Sequence, residues 1–232
     1  VSTGFARGEA DKDLGGLPVR VISTNASSAL ELALEDGMLG AEMSAEELAI
    51  EVNSPFLSTD GRIESILIAG EMPLIVDTRD HPFRVALGLR ELRVGQALWA
   101  MAGAPGLAAD TLTFAVDLQG NGRWLVPLDM IDQTNEPPLD LTSVVLNELT
   151  VRFGDAALTG DGQFDLAPGS FAMDGPPDGT GLFAFELRGG ERLLERLSQT
   201  PLLPADQAFL VRAMLGALGR SVGEDHLASD VS

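Results

Sequence analysis

The sequence predicts a mainly β protein: a long curved antiparallel sheet, or two stacked sheets, with two or three short helices, the longest near the C-terminus. Three observations lead there. Apolar and polar residues alternate with period two along most of the chain, turn-forming Gly, Asp and Asn residues punctuate that alternation, and helical spacing is confined to short stretches after residue 94. Buried parallel strands would be apolar on both faces, whereas these segments have one apolar and one polar side, as antiparallel strands covered on one face do.

The strands follow in order. In SALELALED, Leu30, Leu32 and Leu34 face one way and Glu31 and Glu35 the other. EELAIEVN repeats this with Leu48, Ile50 and Val52, and TLTFAVDL with Leu112, Phe114, Val116 and Leu118. Further strands are expected near 17–24, 62–69, 71–78, 83–94, 144–153, 157–166 and 181–188, with turns at Asp60-Gly61, Gly120-Asn121-Gly122, Gly154-Asp155 and Asp161-Gly162. LRELRV (89–94) and LNELTV (146–151) share the pattern Leu-x-Glu-Leu-x-Val. In each the apolar phase slips by one residue at the middle pair, which predicts a bulge that bends the sheet, because an uncorrected slip would turn the buried face outward.

Helical spacing predicts GQALWAMAG (95–103) with Trp99 inward, GERLLERLSQ (190–199) presenting Leu193, Leu194 and Leu197, and PADQAFLVRAMLGALG (204–219). The last starts at Pro204, stops at Gly219, and carries Leu210, Ala213, Met214, Ala217 and Leu218 as a stripe expected to pack into the core rather than to bind a partner.

At 232 residues and 45% hydrophobic content, the chain can bury roughly 70% of its unfolded surface. We read residues 1–232 as a single β-rich domain. A net charge of −20 repels phosphate backbones, which argues against nucleic acid as a partner. The basic residues are fourteen Arg and Lys12, and cysteine is absent, so disulfides, zinc-thiolate sites and thiol nucleophiles are excluded. No apolar run approaches the ~20 residues a membrane-spanning helix needs.

Chemical motifs are few. GRSVG (219–223) matches the Gly-x-Ser-x-Gly elbow, with Asp225 and His226 just behind, so a serine hydrolase using Ser221 is the alternative from a different class. An elbow needs a strand entering and a helix leaving, whereas here a helix enters. DLQGNGRWLVPLD (117–129) puts Asp117, Asn121 and Gly122 at calcium-loop positions, but Gln119 and Leu128 stand where further ligands belong. Asp155, Asp161 and Asp165 read as turn and surface residues rather than a calcium site. His81 follows Asp80, which could orient its ring, but only one other histidine exists, so a histidine-built metal centre is not expected. These residues predict no catalytic or metal site and no cofactor.

Several stretches together resemble the family called domain of unknown function 2125, exported proteins of Gram-negative bacteria. They are LNELTVRFGDAALTGDGQFDL, FELRGGERLLERL, LLPADQAFLVRAMLGALG and GEDHLASDVS, with FRVALGLRELRVGQALWAMAGAPG and DTLTFAVDLQGNGRW upstream. AGAPGLAAD after Trp99 departs from the Pro- and Asp-rich loop expected there. The bulged strands also resemble those of AsmA-type envelope proteins, whose curved sheets form apolar grooves for lipid. The likeness implies the C-terminal part of a longer exported protein, periplasmic location and no catalytic residues. The resulting expectation is a non-enzymatic protein that binds a lipid-like ligand or an envelope partner on an apolar concave sheet face. A closed β-sandwich serving as an interaction scaffold is its structural rival.

Overall fold

The computed structural model describes residues 1–13, 18–133, 138–167, 169 and 178–231. Its N-terminal strands are β1 (Ser2–Thr3), β2 (Ala6–Asp13), β3 (Pro18–Asn25) and β4 (Ser27–Glu35), followed by the long β5 (Met38–Asn53), β6 (Ser58–Pro73) and β7 (His81–Val94). Helix α1 (Gln96–Met101) and a 3-10 turn at Pro105–Leu107 lead to β8 (Leu112–Trp124), a second 3-10 turn at Leu128–Gln133, β9 (Leu139–Phe153), β10 (Ala156–Leu166) and β11 (Gly179–Arg188). The chain continues through α2 (Gly190–Ser198), α3 (Ala205–Leu218), β12 (Arg220–Gly223) and β13 (His226–Val231).

All thirteen strands belong to one open antiparallel sheet in the order β1-β4-β5-β6-β7-β8-β9-β10-β11-β13-β12, with β3 on the far half of β5 and β2 outside β3. From β5 to β11 each strand lies beside its sequence neighbours, as in an antiparallel meander. Among the described residues every strand joins this one hydrogen-bonded sheet. No described helix is long and apolar enough to cross a membrane.

Both expected bulges are present. Leu89 opposes Phe114 and Leu92 opposes Leu112, so β7 holds an extra residue within LRELRV, where Glu91 adopts φ 52°. In LNELTV, Asp117 opposes Glu148 and Leu118 opposes Leu146, which leaves Asn147 unmatched. A third irregularity lies level with the first. Glu47 on β5 has φ 50°, a left-handed value uncommon outside glycine, and the Glu47–Glu64 pair is missing between Glu46↔Ser65 and Leu48↔Ile63.

Three expected turns are corrected. Asp60-Gly61 lies inside β6, and the connection is instead Ser54–Leu57, where the Ser54 and Leu57 backbones and the Ser54 hydroxyl bond each other. Gly120-Asn121-Gly122 lies inside β8, and Asp161-Gly162 sits at a register shift within β10. In β8 and β10 glycine serves close packing rather than chain reversal: a Cβ at Gly120 would meet the Phe83 ring, and one at Gly162 the Phe183 backbone and ring. Gly154-Asp155 does turn, with Gly154 at φ 56°.

The three expected helices form, and Trp99 of α1 meets Phe153 at a ring-centroid distance of 6.0 Å. Leu194 of α2 is buried against β10, and Arg196 bonds Asp110 and the Gly106 carbonyl, clamping α2 to the first 3-10 turn. The expectation for α3 is overturned: Leu210, Ala213, Met214, Ala217 and Leu218 are exposed, while Ala208 is buried and Val211 and Leu215 are half-buried. This helix is apolar nearly all round, so periodicity selects no unique inward face, and among the described elements α2 is its main neighbour.

Candidate apolar binding face

Residues directly opposite each other on neighbouring strands project to the same face, so the register assigns every strand side chain. Starting from β4, Leu30, Leu32 and Leu34 oppose Met43, Ala41 and Leu39, which oppose Ile68, Gly70 and Met72. Ile68 and Gly70 oppose Leu87 and Val85, which oppose Val116 and Leu118. These pair with Leu149 and Leu146, then Gly160 and Gly162, then Phe185 and Phe183, and finally Ser229 and Val231 on β13. One apolar face therefore crosses nine strands, about 38 Å at ~4.8 Å per strand.

The bulges preserve that face. Leu48 opposes Ile63, and Gly61, two residues from Ile63, opposes Val94. Val94 shares its side with Leu92, whose partner is Leu112 on the apolar face. Leu48, Ile63 and Leu92 thus point the same way as Ala45, Ile66 and Leu89, although each is an odd number of residues away. The phase slip in LRELRV carries this signal alone, but the same three-residue step from Ala45 to Leu48 and from Ile63 to Ile66 marks the flip in β5 and β6.

Coverage of the face is uneven. Leu146 and Leu166 are 7% and 8% exposed, and α1, α2 and α3 gather where β8 begins and β9 and β11 end, near Phe153, Ala156, Leu187 and Leu227. At the other end of β8 the Trp124 indole N–H donates to the Pro73 carbonyl at 2.7 Å, reaching past the start of β7. Over β4 to β7 the face stands open: Leu32 is 68% exposed, Met43 46%, Ile68 43% and Val85 45%. Single exposed aliphatics are ordinary, whereas a contiguous patch crossing four strands is a candidate binding surface.

The opposite face is charged. Arg84 donates from Nε and Nη2 to the two Asp117 carboxylate oxygens at 3.0 and 2.8 Å, which holds Asp117 below the usual aspartate range. Arg123 bonds buried Asp140 at 2.7 Å, and the second oxygen of Asp140 accepts from the Gly169 N–H at 2.9 Å.

The motif residues do not assemble into a site. Ser221 lies on β12 after a helix, the reverse of an elbow, and its hydroxyl donates to the Gly223 carbonyl. Asp225 accepts from the Glu191 and Arg192 N–H groups, capping α2, and pairs with the Arg192 side chain. His226 lies 3.4 Å from Glu186. Asp80 does not orient the His81 ring: His81 bonds Asp77 at 2.9 Å, whereas Asp80 accepts from Thr142. The Arg79 N–H, followed by His81, holds Asp77 below the usual range. In the former calcium-like loop Asp117 is taken by Arg84, and Asn121 donates to Ser143. Asp155, Asp161 and Asp165 are spread along one hairpin, the first and last ten residues apart, and among the described residues no group of three candidate ligands could hold a metal.

No protein-family model, curated protein or solved structure matches the chain.

Proposed function

We propose that this is a non-enzymatic periplasmic protein that holds a lipid-like ligand on the open apolar face between β4 and β7, the role implied by its likeness to the domain of unknown function 2125 and AsmA-type proteins. The carrying observation is that Leu30, Leu32, Leu34, Met43, Ile68 and Val85 share one face and lie exposed, with the helices gathered elsewhere. Each methylene that such a face removes from water contributes about 0.8 kcal/mol, so an acyl chain is a suitable occupant. The bulge in β7 adds a local bend to the strand beside this face. The acidic reverse side favours a neutral or zwitterionic headgroup over an anionic one.

Native mass spectrometry of protein purified from its own envelope tests this, with co-purifying lipid expected and recovered after delipidation. Titration with a fluorescent fatty acid then locates the site. Ile68→Asp or Val85→Asp on the open face weakens binding about tenfold or more, whereas Leu67→Asp, on the reverse face beside Ile68, leaves it unchanged. Protein that stays bare, or equal loss from both faces, rejects the proposal.

A further inference from the structure

One end of the sheet collects apolar tips from three separate segments. Gly61 opposes Val94, Leu112 opposes Phe153 and Ala157 opposes Arg188, so the β5–β6 turn, the α1 segment and the chain after β11 all leave the sheet at that end. There Phe56 is 80% exposed and Met101 71%, with Leu98 and Leu202 exposed as well. The segments touch: a Cβ at Gly95 would meet Thr59 and Asp60 beside the turn, and one at Gly103 the Pro201 ring. The four side chains therefore lie along one rim, and Ile50 and Val52 carry the apolar face of β5 up to it.

Two further properties set this rim apart. It is uncharged: no charged residue lies between Glu51 and Asp60, between Arg93 and Asp110, or between Arg196 and Asp206, in a chain whose net charge is −20. Its backbone is also bonded largely within itself. In the turn, the Ser54 N–H donates to the Leu57 carbonyl, and the Phe56 and Leu57 N–H groups donate to the Ser54 hydroxyl. After α1 the Ala102 and Ala104 N–H groups bond the Leu98 and Trp99 carbonyls, and the Leu202 N–H bonds the Thr200 hydroxyl. Segments satisfied in this way can leave water without orphaned donors. A partner protein brings donors and acceptors of its own and makes no such demand, whereas the acyl region of a bilayer offers none.

We infer that this end of the sheet docks on a neutral, zwitterionic phospholipid bilayer, with Phe56, Leu98, Met101 and Leu202 entering its outer acyl region. Apolar side chains on short self-bonded elements seat at that depth and leave the rest of the protein in water. The charge of −20 opposes an anionic surface, which is why the membrane is a neutral one. The docking goes beyond ligand binding and stands whether or not the open face holds lipid.

Flotation with phosphatidylcholine vesicles tests it. The whole chain floats with them, and mixing phosphatidylglycerol into the vesicles weakens binding, most of all at low salt. The double variant Phe56→Asp/Met101→Asp lowers the affinity at least about tenfold, whereas Leu182→Asp, at an exposed leucine of the reverse face, leaves it unchanged. Should the double variant fold poorly, Phe56→Trp keeps the tip apolar and makes it a reporter. Its quenching by phosphatidylcholine brominated along the acyl chains exceeds that of the wild type, in which Trp99 and Trp124 give the baseline. No flotation, equal loss from Leu182→Asp, quenching no greater than the wild type's, tighter binding to the anionic vesicles, or a dimer in solution that the double variant splits would each overturn the inference.

Discussion

The two halves of the sheet carry the same alternation but spend it differently. In β8 to β11 the apolar face is half-covered or better, with Leu146 and Leu166 almost wholly buried, its other large side chains half-buried and three helices at its margin. In β4 to β7 an equally regular row of Leu, Met, Ile and Val faces solvent. The lesson is that a period-two pattern specifies which side of a strand is apolar and leaves open whether anything covers it. Coverage depends on what the intervening segments build. After β7 the chain inserts α1 and a 3-10 turn, and after β11 it inserts α2 and α3, whereas β4, β5 and β6 follow one another through tight connections with no helix.

This contrast gives the largest expected effect. Leu146→Ala should destabilise the protein by about 2–4 kcal/mol, since it deletes a buried side chain and leaves a cavity. Leu32→Ala, the same chemical change on the same face, should cost less than about 0.5 kcal/mol. Urea midpoints of the two variants measure the difference. Equal destabilisation would mean that the open half is covered in solution, for instance by a partner, a ligand or a second copy.

A second, smaller effect sharpens the boundary of the covered half. Asp140 is 4% exposed and is shared between Arg123 and the Gly169 N–H, so Asp140→Ala leaves a guanidinium and an amide short of their acceptor. A loss of roughly 2–3 kcal/mol is expected, read from thermal or urea unfolding. Exposed carboxylates of the open half such as Glu42, which has no ion pair among the described residues, should tolerate alanine within about 0.5 kcal/mol.

Much of this architecture is legible in the residues because alternation is a local property. Leu30-Leu32-Leu34 and Phe114-Val116-Leu118 declare their shared face without knowledge of their neighbours, and the slipped phase of LRELRV and LNELTV announces both bulges. What stayed hidden depends on distant chain. Glycines inside β8 and β10 look like turns until Phe83 and Phe183 are seen packing where a side chain would stand. Charged β2 reads as an irregular start, because its pairing with β3 is not written in a hydrophobic pattern. The α3 stripe gave the wrong inward face because the helix is apolar nearly all round. As for the binding face, its residues were readable but its openness was not, since openness is a statement about which elements are absent above it.

The smallest predicted effect sits on the seam between the halves, where Arg84 of β7 grips Asp117 of β8. The bidentate geometry favours the ionised carboxylate and depresses its folded-state pKa, so the folded protein binds fewer protons at this group than the unfolded chain does. The stabilisation is therefore present in full above the ordinary aspartate value of about 3.9 and is lost as pH falls through the lower folded value. Asp117→Asn should cost about 1 kcal/mol at neutral pH, in line with a well-formed but partly solvated pair. The gap between wild type and variant should close on acidification below that range, because the wild type then carries a neutral acid in the same place. Urea unfolding of both proteins from neutral pH to about pH 2 supplies the measurement. A gap that persists unchanged at the acid end would show that the side chain contributes by shape and neutral hydrogen bonding rather than by its charge on Arg84.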